Sequence, residues 1–264
     1  MAKTKAAESK ITTAAKKYMK PSEVATFGIG LFGVALLTGW MPDYTTTFFA
    51  DFAFKGKGFD SASLSHIVEV VFLIAGFVGA ICELVIGVLV DRTKTKLGKV
   101  KPWVGFGAIP LAIISMLVFV APNTSSFGLA SVWMIVIYCL YTAVSCAVES
   151  PSNCFGALCS PNPAERSSAI SIASFLRSVG QSGGQVVIIV VGALMKALMG
   201  QQQFKNAEGQ GIDLIISTAI CALGMIIFVM IFFANNKERV PFTSENVSLL
   251  ESIKLVFTNK NLLM

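Results

Sequence analysis

The sequence predicts an all-α polytopic membrane protein in which six transmembrane helices form one bundle. Of the 264 residues, 54% are hydrophobic and only 14% are charged, and the mean hydropathy is +0.71. Soluble domains carry about 25% charged residues, so this balance excludes a soluble enzyme, a disordered chain and a nucleic-acid-binding module. A helix needs about 20 apolar residues to cross roughly 30 Å of hydrocarbon. Six stretches, numbered spans 1 to 6, reach that length at about 24–50, 64–90, 103–121, 128–148, 169–198 and 214–234.

Each span is predicted to be helical because an open strand edge in lipid would leave backbone groups without hydrogen bonds. Span 1 contains Asp43, and span 2 contains two carboxylates, of which Glu83 is the deeper. Spans 3 and 6 contain no charge, and span 4 ends at Glu149, just before Pro151. Span 5 contains Arg177 about a turn from its start. A charge in the bilayer is costly unless it faces a cavity or a partner, so these charged residues are candidates for a functional site.

The distribution of basic residues predicts the orientation. Sixteen Lys and Arg residues lie before span 1, in the loops after spans 2 and 4, and after span 6, against three in the other loops. Positively charged loops stay on the cytoplasmic side, so both termini are expected there, in a multi-pass protein of the cell membrane. The predicted organisation is a cytoplasmic tail at 1–23, the bundle at 24–236, and a central linker at 237–264 that runs into the start of a seventh span.

The stretch from Gly87 to Trp103, GVLVDRTKTKLGKVKPW, resembles the loop between helices 2 and 3 of the major facilitator superfamily. Its longer pattern, D-x-T-x-T-K-x-G-K-x-K-P-W, is similar to that of the glycoside–pentoside–hexuronide:cation symporters, the relatives of melibiose permease. Three shorter stretches also match that family, in the expected order along the chain, at 27–30, 161–166 and 237–240. The resemblance covers nearly the whole chain and implies the N-terminal six of the twelve helices of such a transporter.

The resemblance implies that the loop between spans 2 and 3 is a gate between two halves of the transporter. Physical reasoning gives it a shape: Gly98 allows a tight turn, and Pro102 starts a helix where its missing N–H costs nothing. A simpler role is also open, in which the lysines of the loop lie against anionic lipid head groups. The residues of this predicted gating loop are Asp91, Arg92, Thr93, Gly98, Lys99, Lys101 and Pro102.

The resemblance also implies a cation site. Members of that family hold the coupling cation between two carboxylates four residues apart on helix 2, where Glu83 matches the second and Gly79 replaces the first. Glu149 matches an acidic position that the family uses near both cation and sugar, whereas the sugar-binding acid of helix 1 falls on Ala35. A hard cation needs several oxygen ligands, and a proton needs one carboxylate. We therefore favour H⁺ as the coupling ion and keep Na⁺ as the alternative, since Glu149 could complete a sodium site. We expect neither another cofactor nor a metal centre.

The expected function is cation-coupled symport of a sugar or glycoside by alternating access, with Trp40, Asp43 and Arg177 along the substrate pathway. The sequence offers no nucleophile–base pair and no phosphate-binding loop, so we do not expect an enzyme. One alternative is a proton-coupled importer of an organic anion that Arg177 contacts. Another is a truncated half that does not transport, or a partner subunit. The expected partners are the lipid bilayer, the small-molecule substrate and a C-terminal six-helix half.

Overall fold

The computed structural model describes residues 17–54, 57–199 and 211–240. Within those ranges the chain is helical and contains no β-strand. Six helical spans are long and apolar enough to cross a membrane, which confirms the predicted fold class. The predicted cytoplasmic tail and linker lie largely outside the described residues. The six spans are Pro21–Phe52, Ser61–Arg92, Lys101–Val118, Phe127–Leu158, Pro163–Met199 and Ile212–Asn235.

Span 1 is interrupted near its middle. An α-helix covers Pro21–Thr38, a second one covers Met41–Thr47, and a π-helical turn covers Phe48–Phe52. The break precedes Pro42, whose ring removes a backbone donor and clashes with the preceding turn. The interruption turns the side chain of Trp40 into the bundle, where it has no exposed surface.

Spans 1 and 5 make the most extensive helix–helix contact among the described residues. A Cβ atom on Gly180 would overlap the carbonyl oxygen of Phe32, and one on Gly184 would overlap the carbonyl oxygen of Leu36. Small residues four positions apart let two helix backbones approach closely, which is how helices associate in lipid. The glycine pair therefore determines where span 5 lies against span 1.

Aromatic packing joins spans 1, 4 and 6. The ring centroid of Phe27 lies 5.1 Å from that of Phe155 and 6.2 Å from that of Phe232, and the last two are 4.9 Å apart. Span 2 packs on span 4, and span 3 packs on spans 4 and 6. Span 4 thus connects spans 2 and 3 to the aromatic cluster.

Span 4 is longer than its hydropathy predicts. The helix continues to Leu158, so the predicted end near Val148 is wrong and Pro151 lies inside the helix. The proline removes the helical hydrogen bond to the Ala147 carbonyl, and one residue further on the Ser152 hydroxyl donates to the Val148 carbonyl at 2.6 Å. Several of the polar residues after 148 line a cleft. They lower the local hydropathy, so a prediction based on apolar stretches ends the span too early.

Span 5 also starts earlier than predicted. Its first residue is Pro163, so Arg177 lies about four turns into the helix at about 3.6 residues per turn. The prediction that Arg177 is about one turn from the start is wrong. The reason is again compositional, because the first turns of span 5 contain serines and charged residues.

The glycine contact between spans 1 and 5 gives a prediction for stability. Gly180→Ala should lower the free energy of unfolding by about 1–3 kcal/mol, since the new methyl group would overpack the contact. Gly76→Ala is the matched control, because a Cβ there meets no atom within 4 Å. Alanine favours the helix by up to about 1 kcal/mol over glycine, so the control should be neutral or stabilising. The measurement is thermal and denaturant unfolding in detergent, and equal effects of the two substitutions would contradict the packing account.

Candidate functional site

A cleft of about 340 Å³ between spans 2, 4 and 5 contains three of the predicted site residues, Glu83, Glu149 and Arg177. Glu83 is about 13 Å along span 2 from Arg92, at about 1.5 Å per residue, so the cleft reaches into the membrane-spanning part of the bundle. The other lining residues are Ser145, Cys146, Ser150, Asn153 and Cys154.

Arg177 is held by two side chains of span 4. Its Nη2 lies 3.0 Å from Oε2 of Glu149, and its Nη1 donates to Oδ1 of Asn153 at 2.7 Å. Residues four apart on a helix share a face, so Glu149 and Asn153 present two acceptors to the planar guanidinium. The side chains of Arg177 and Glu149 are 37% and 28% exposed, so the ion pair is accessible from the cleft. The structure therefore pairs Arg177 with Glu149.

Glu83 stands alone across the cleft. It is exposed, and within the described ranges no basic side chain lies within ion-pair distance of it. One turn earlier, Gly79 packs against span 4, because a Cβ there would lie 3.2 Å from Cγ2 of Thr142. A side chain in place of Gly79 would therefore press on span 4, and with glycine at this position the chain offers a single carboxylate on that part of span 2.

Trp40 does not line the cleft. Its Nε1 donates to the Leu36 carbonyl at 3.0 Å, and its ring is stacked on Phe119 with the centroids 6.0 Å apart. The side chain is fully buried, and its place along a substrate pathway stays a prediction. Asp43 is exposed in span 1 but is not among the cleft residues, so its role stays a prediction.

Span 5 carries a polar stripe that the sequence analysis missed. Its side chains recur at intervals of three and four residues beside Arg177, and each is exposed within a membrane-spanning helix. Hydroxyl and amide groups face lipid unfavourably, so this stripe marks a surface that meets water or another helix. The spacing alone could have revealed it. The stripe consists of Ser171, Ser174, Ser178, Gln181, Ser182 and Gln185.

The loop between spans 2 and 3 has the predicted turn. Gly98 adopts a φ of +109°, a conformation that favours glycine, and Pro102 lies in the first turn of span 3. The indole Nε1 of Trp103 donates to Oγ1 of Thr93 at 3.0 Å, which ties the two ends of the loop together. Asp91 and Arg92 are exposed in the last turn of span 2.

Three further loop residues contact a segment that follows span 6. The carboxylate of Glu238 accepts the backbone N–H groups of Lys99, Val100 and Lys101 at 2.8, 2.9 and 3.1 Å. The loop, this segment and Leu158 of span 4 line an open pocket of about 530 Å³. Sequence reasoning gave Glu238 no role, because its partners lie nearly 140 positions earlier in the chain.

A family model described as MFS/sugar transport protein matches residues 26–264. The chain belongs to this family. Its relatives include the inner membrane symporter YicJ of Escherichia coli (strain K12), which is 27% identical over 194 residues, covering 73% of this chain and 39% of YicJ. An isoprimeverose transporter of Lactiplantibacillus pentosus is 30% identical over 183 residues, covering 69% of this chain and 36% of the relative.

A third relative, the putative glycoside/cation symporter YagG of Escherichia coli (strain K12), is 28% identical over 196 residues, covering 73% of this chain and 40% of YagG. The chain therefore spans about two fifths of the length of these curated relatives. Membership in the MFS/sugar transport protein family confirms that the chain belongs to a family of transporters and not of enzymes. It also confirms the resemblance to the glycoside–pentoside–hexuronide:cation symporters.

The Arg177–Glu149 pair can be tested by a double-mutant cycle. The variants are Arg177→Gln, Glu149→Gln and the two combined, with stability measured by denaturant unfolding in detergent. Residues in direct contact give interaction energies of about 0.5–3 kcal/mol, and we expect about 1 kcal/mol because the pair is partly exposed. His66 and Glu69 form the control pair, at 3.7 Å and about 80% exposed, where less than about 0.5 kcal/mol is expected. Additive effects at Arg177 and Glu149 would show that the two side chains do not interact.

Proposed function

We propose that the chain is a six-helix half of a cation-coupled sugar or glycoside symporter that works by alternating access. The observation that carries the proposal is the cleft in which spans 2, 4 and 5 bring Glu83, Glu149 and Arg177 together. Such carriers bind substrate and coupling ion at a site within the membrane and expose it to each side in turn. The relatives named as an isoprimeverose transporter and a putative glycoside/cation symporter support this substrate class.

The charge balance of the cleft favours a neutral substrate. The guanidinium of Arg177 is already neutralised by Glu149 at 3.0 Å, so an organic anion would have to compete with a carboxylate that is built into the site. Sugar hydroxyl groups need donors and acceptors instead, and Asn153, Ser145 and Ser150 supply both. We therefore favour a sugar or glycoside over the organic-anion alternative.

The same balance favours Glu83 as the proton carrier. Glu149 already has a cationic partner, whereas Glu83 has none among the described residues. A carboxylate charge in the membrane interior is costly during the transport cycle. A proton bound to Glu83 would neutralise that charge. Sodium would need several oxygen ligands, and the backbone at Gly79 packs on span 4 without a side chain to offer one.

The exposed polar surface supports a second helical unit. Glu83 and the polar stripe of span 5 are exposed in spans that cross the bilayer, and lipid is a poor neighbour for both. We propose that this surface faces a water-filled pathway whose other wall is a second six-helix unit. The proposed orientation places the loop between spans 2 and 3 in the cytoplasm, as its five basic residues indicate.

Substrate class is testable by ligand-induced stabilisation. Ligand at about 100 times its Kd stabilises a protein by about 2.7 kcal/mol, which a thermal shift assay in detergent detects. We expect neutral glycosides to raise the melting temperature of the wild type, and Asn153→Leu to abolish the shift. Cys154→Ala, at a neighbouring position that lines the same cleft, is the control and should keep it. A shift given by organic anions and not by glycosides would favour the anion importer.

The coupling ion is testable by transport in membrane vesicles. Glu83→Gln should keep exchange of substrate across the membrane but abolish accumulation driven by a proton gradient, because the variant cannot release or bind the proton. Glu69→Gln, at an exposed position in the first third of the same helix, should accumulate substrate as the wild type does. Accumulation that requires sodium at every pH would refute proton coupling.

A further inference from the structure

The start of span 3 lies next to the end of span 6. A side chain near each of these helix ends caps the other end. The first backbone N–H groups of a helix have no partner inside it, and an anion stabilises that end. At the start of span 3 the anion is the carboxylate of Glu238, which accepts three consecutive N–H groups. This residue belongs to the segment that follows span 6, so the cap comes from a distant part of the sequence.

The reverse contact comes from Lys101 at the start of span 3. Its Nζ donates to the backbone carbonyl of Asn236 at 2.8 Å, immediately after span 6 ends at Asn235. The ammonium group also lies 4.9 Å from the ring centroid of Phe233. A cation stabilises the C-terminal end of a helix, so the two helix ends stabilise each other with opposite charges.

The same short segment reaches two more spans. Arg239 forms an ion pair with Glu23 of span 1, with Nη2 and Oε1 2.6 Å apart. The backbone N–H groups of Arg239 and Val240 both donate to the carbonyl of Leu158 at the end of span 4, at 2.9 and 3.1 Å. The segment Asn236–Val240, which we call the capping segment, thus contacts the ends of spans 1, 3, 4 and 6.

Gly98 is part of this arrangement. In addition to its positive φ, a Cβ atom at this position would overlap the carboxylate of Glu238. Glycine is therefore required twice, by the turn itself and by the close approach of the carboxylate.

We propose that Glu238 is a positioning residue that determines the shape of the loop between spans 2 and 3, and that the capping segment makes the ends of spans 1, 3, 4 and 6 move as one unit. The proposal rests on the proposed transport function only where it treats the loop as a gate. The geometry of the loop itself is independent of transport.

Limited proteolysis measures the shape of the loop directly. Trypsin can cleave after Lys94, Lys96 and Lys99, and each cut requires the loop to unfold locally. Glu238→Gln keeps the size of the side chain but replaces one acceptor oxygen by an amide that cannot accept an N–H. Hydrogen bonds to a charged group are the stronger ones, so cleavage in the loop should become about tenfold faster in detergent-solubilised protein. Glu238→Asp keeps the charge, and its cleavage rate should lie between those of the wild type and Glu238→Gln.

Lys237→Gln is the matched control, since it removes a charge from an exposed neighbour in the same segment and should leave the rate unchanged. Equal rates for Glu238→Gln and the wild type, in protein that elutes as a monodisperse peak, would overturn the proposal. If Glu238→Gln does not fold, Gly98→Ala perturbs the same contact and should accelerate cleavage alike, and an unchanged rate would again overturn it.

A transport assay distinguishes the positioning role of Glu238 from the gating role of the loop. If the loop is a gate, Glu238→Gln should lower kcat several-fold with little change in KM, because the substrate site lies elsewhere. Fast cleavage with unchanged transport supports the positioning role and refutes the gate. Absence of transport in the wild type refutes the proposed function and leaves the proteolysis result intact.

Discussion

The close approach of spans 1 and 5 is the constraint on which the candidate site depends. Without side chains at Gly180 and Gly184, span 5 lies against backbone carbonyls of span 1, so the position and rotation of span 5 are tightly defined. Arg177 is less than one turn before Gly180 and therefore points in a determined direction, toward Glu149 and Asn153 of span 4. A bulkier contact would displace the guanidinium from both acceptors.

The charges of the bundle follow one physical rule, which is that a charge in a low-dielectric region needs a partner or water. Arg177 and Glu149 satisfy it with each other, whereas Glu83 satisfies it by exposure in the cleft. The charges at the ends of the spans satisfy it by capping helices, as Glu238 and Lys101 do. Paired charges thus organise the structure, and Glu83 is the charged residue of the cleft that has no ion-pair partner among the described residues.

Much of the architecture could be predicted from the sequence, because hydropathy reports which segments cross lipid and the loop motif reports where Gly98 and Pro102 are needed. The limits of span 4 could not, since a window average cannot distinguish polar residues that end a helix from polar residues that line a cleft. The complete burial of Trp40 could not be predicted either, because it follows from the break in span 1 before Pro42. Glu238 was missed because capping by a residue far away in sequence leaves no local pattern.

The interruption of span 1 divides it into two parts with different mechanical roles. The first part is held by the glycine contact with span 5, whereas the part after Trp40 packs through aromatic rings: Phe48 lies 5.3 Å from Phe119, and Phe49 lies 5.5 Å from Trp133. A helix bends most easily where a proline has removed a backbone hydrogen bond. Edge-to-face ring contacts tolerate small rotations better than backbone contacts do. The break before Pro42 is therefore the point where span 1 is easiest to bend, between a part held by backbone contacts and a part held by ring contacts.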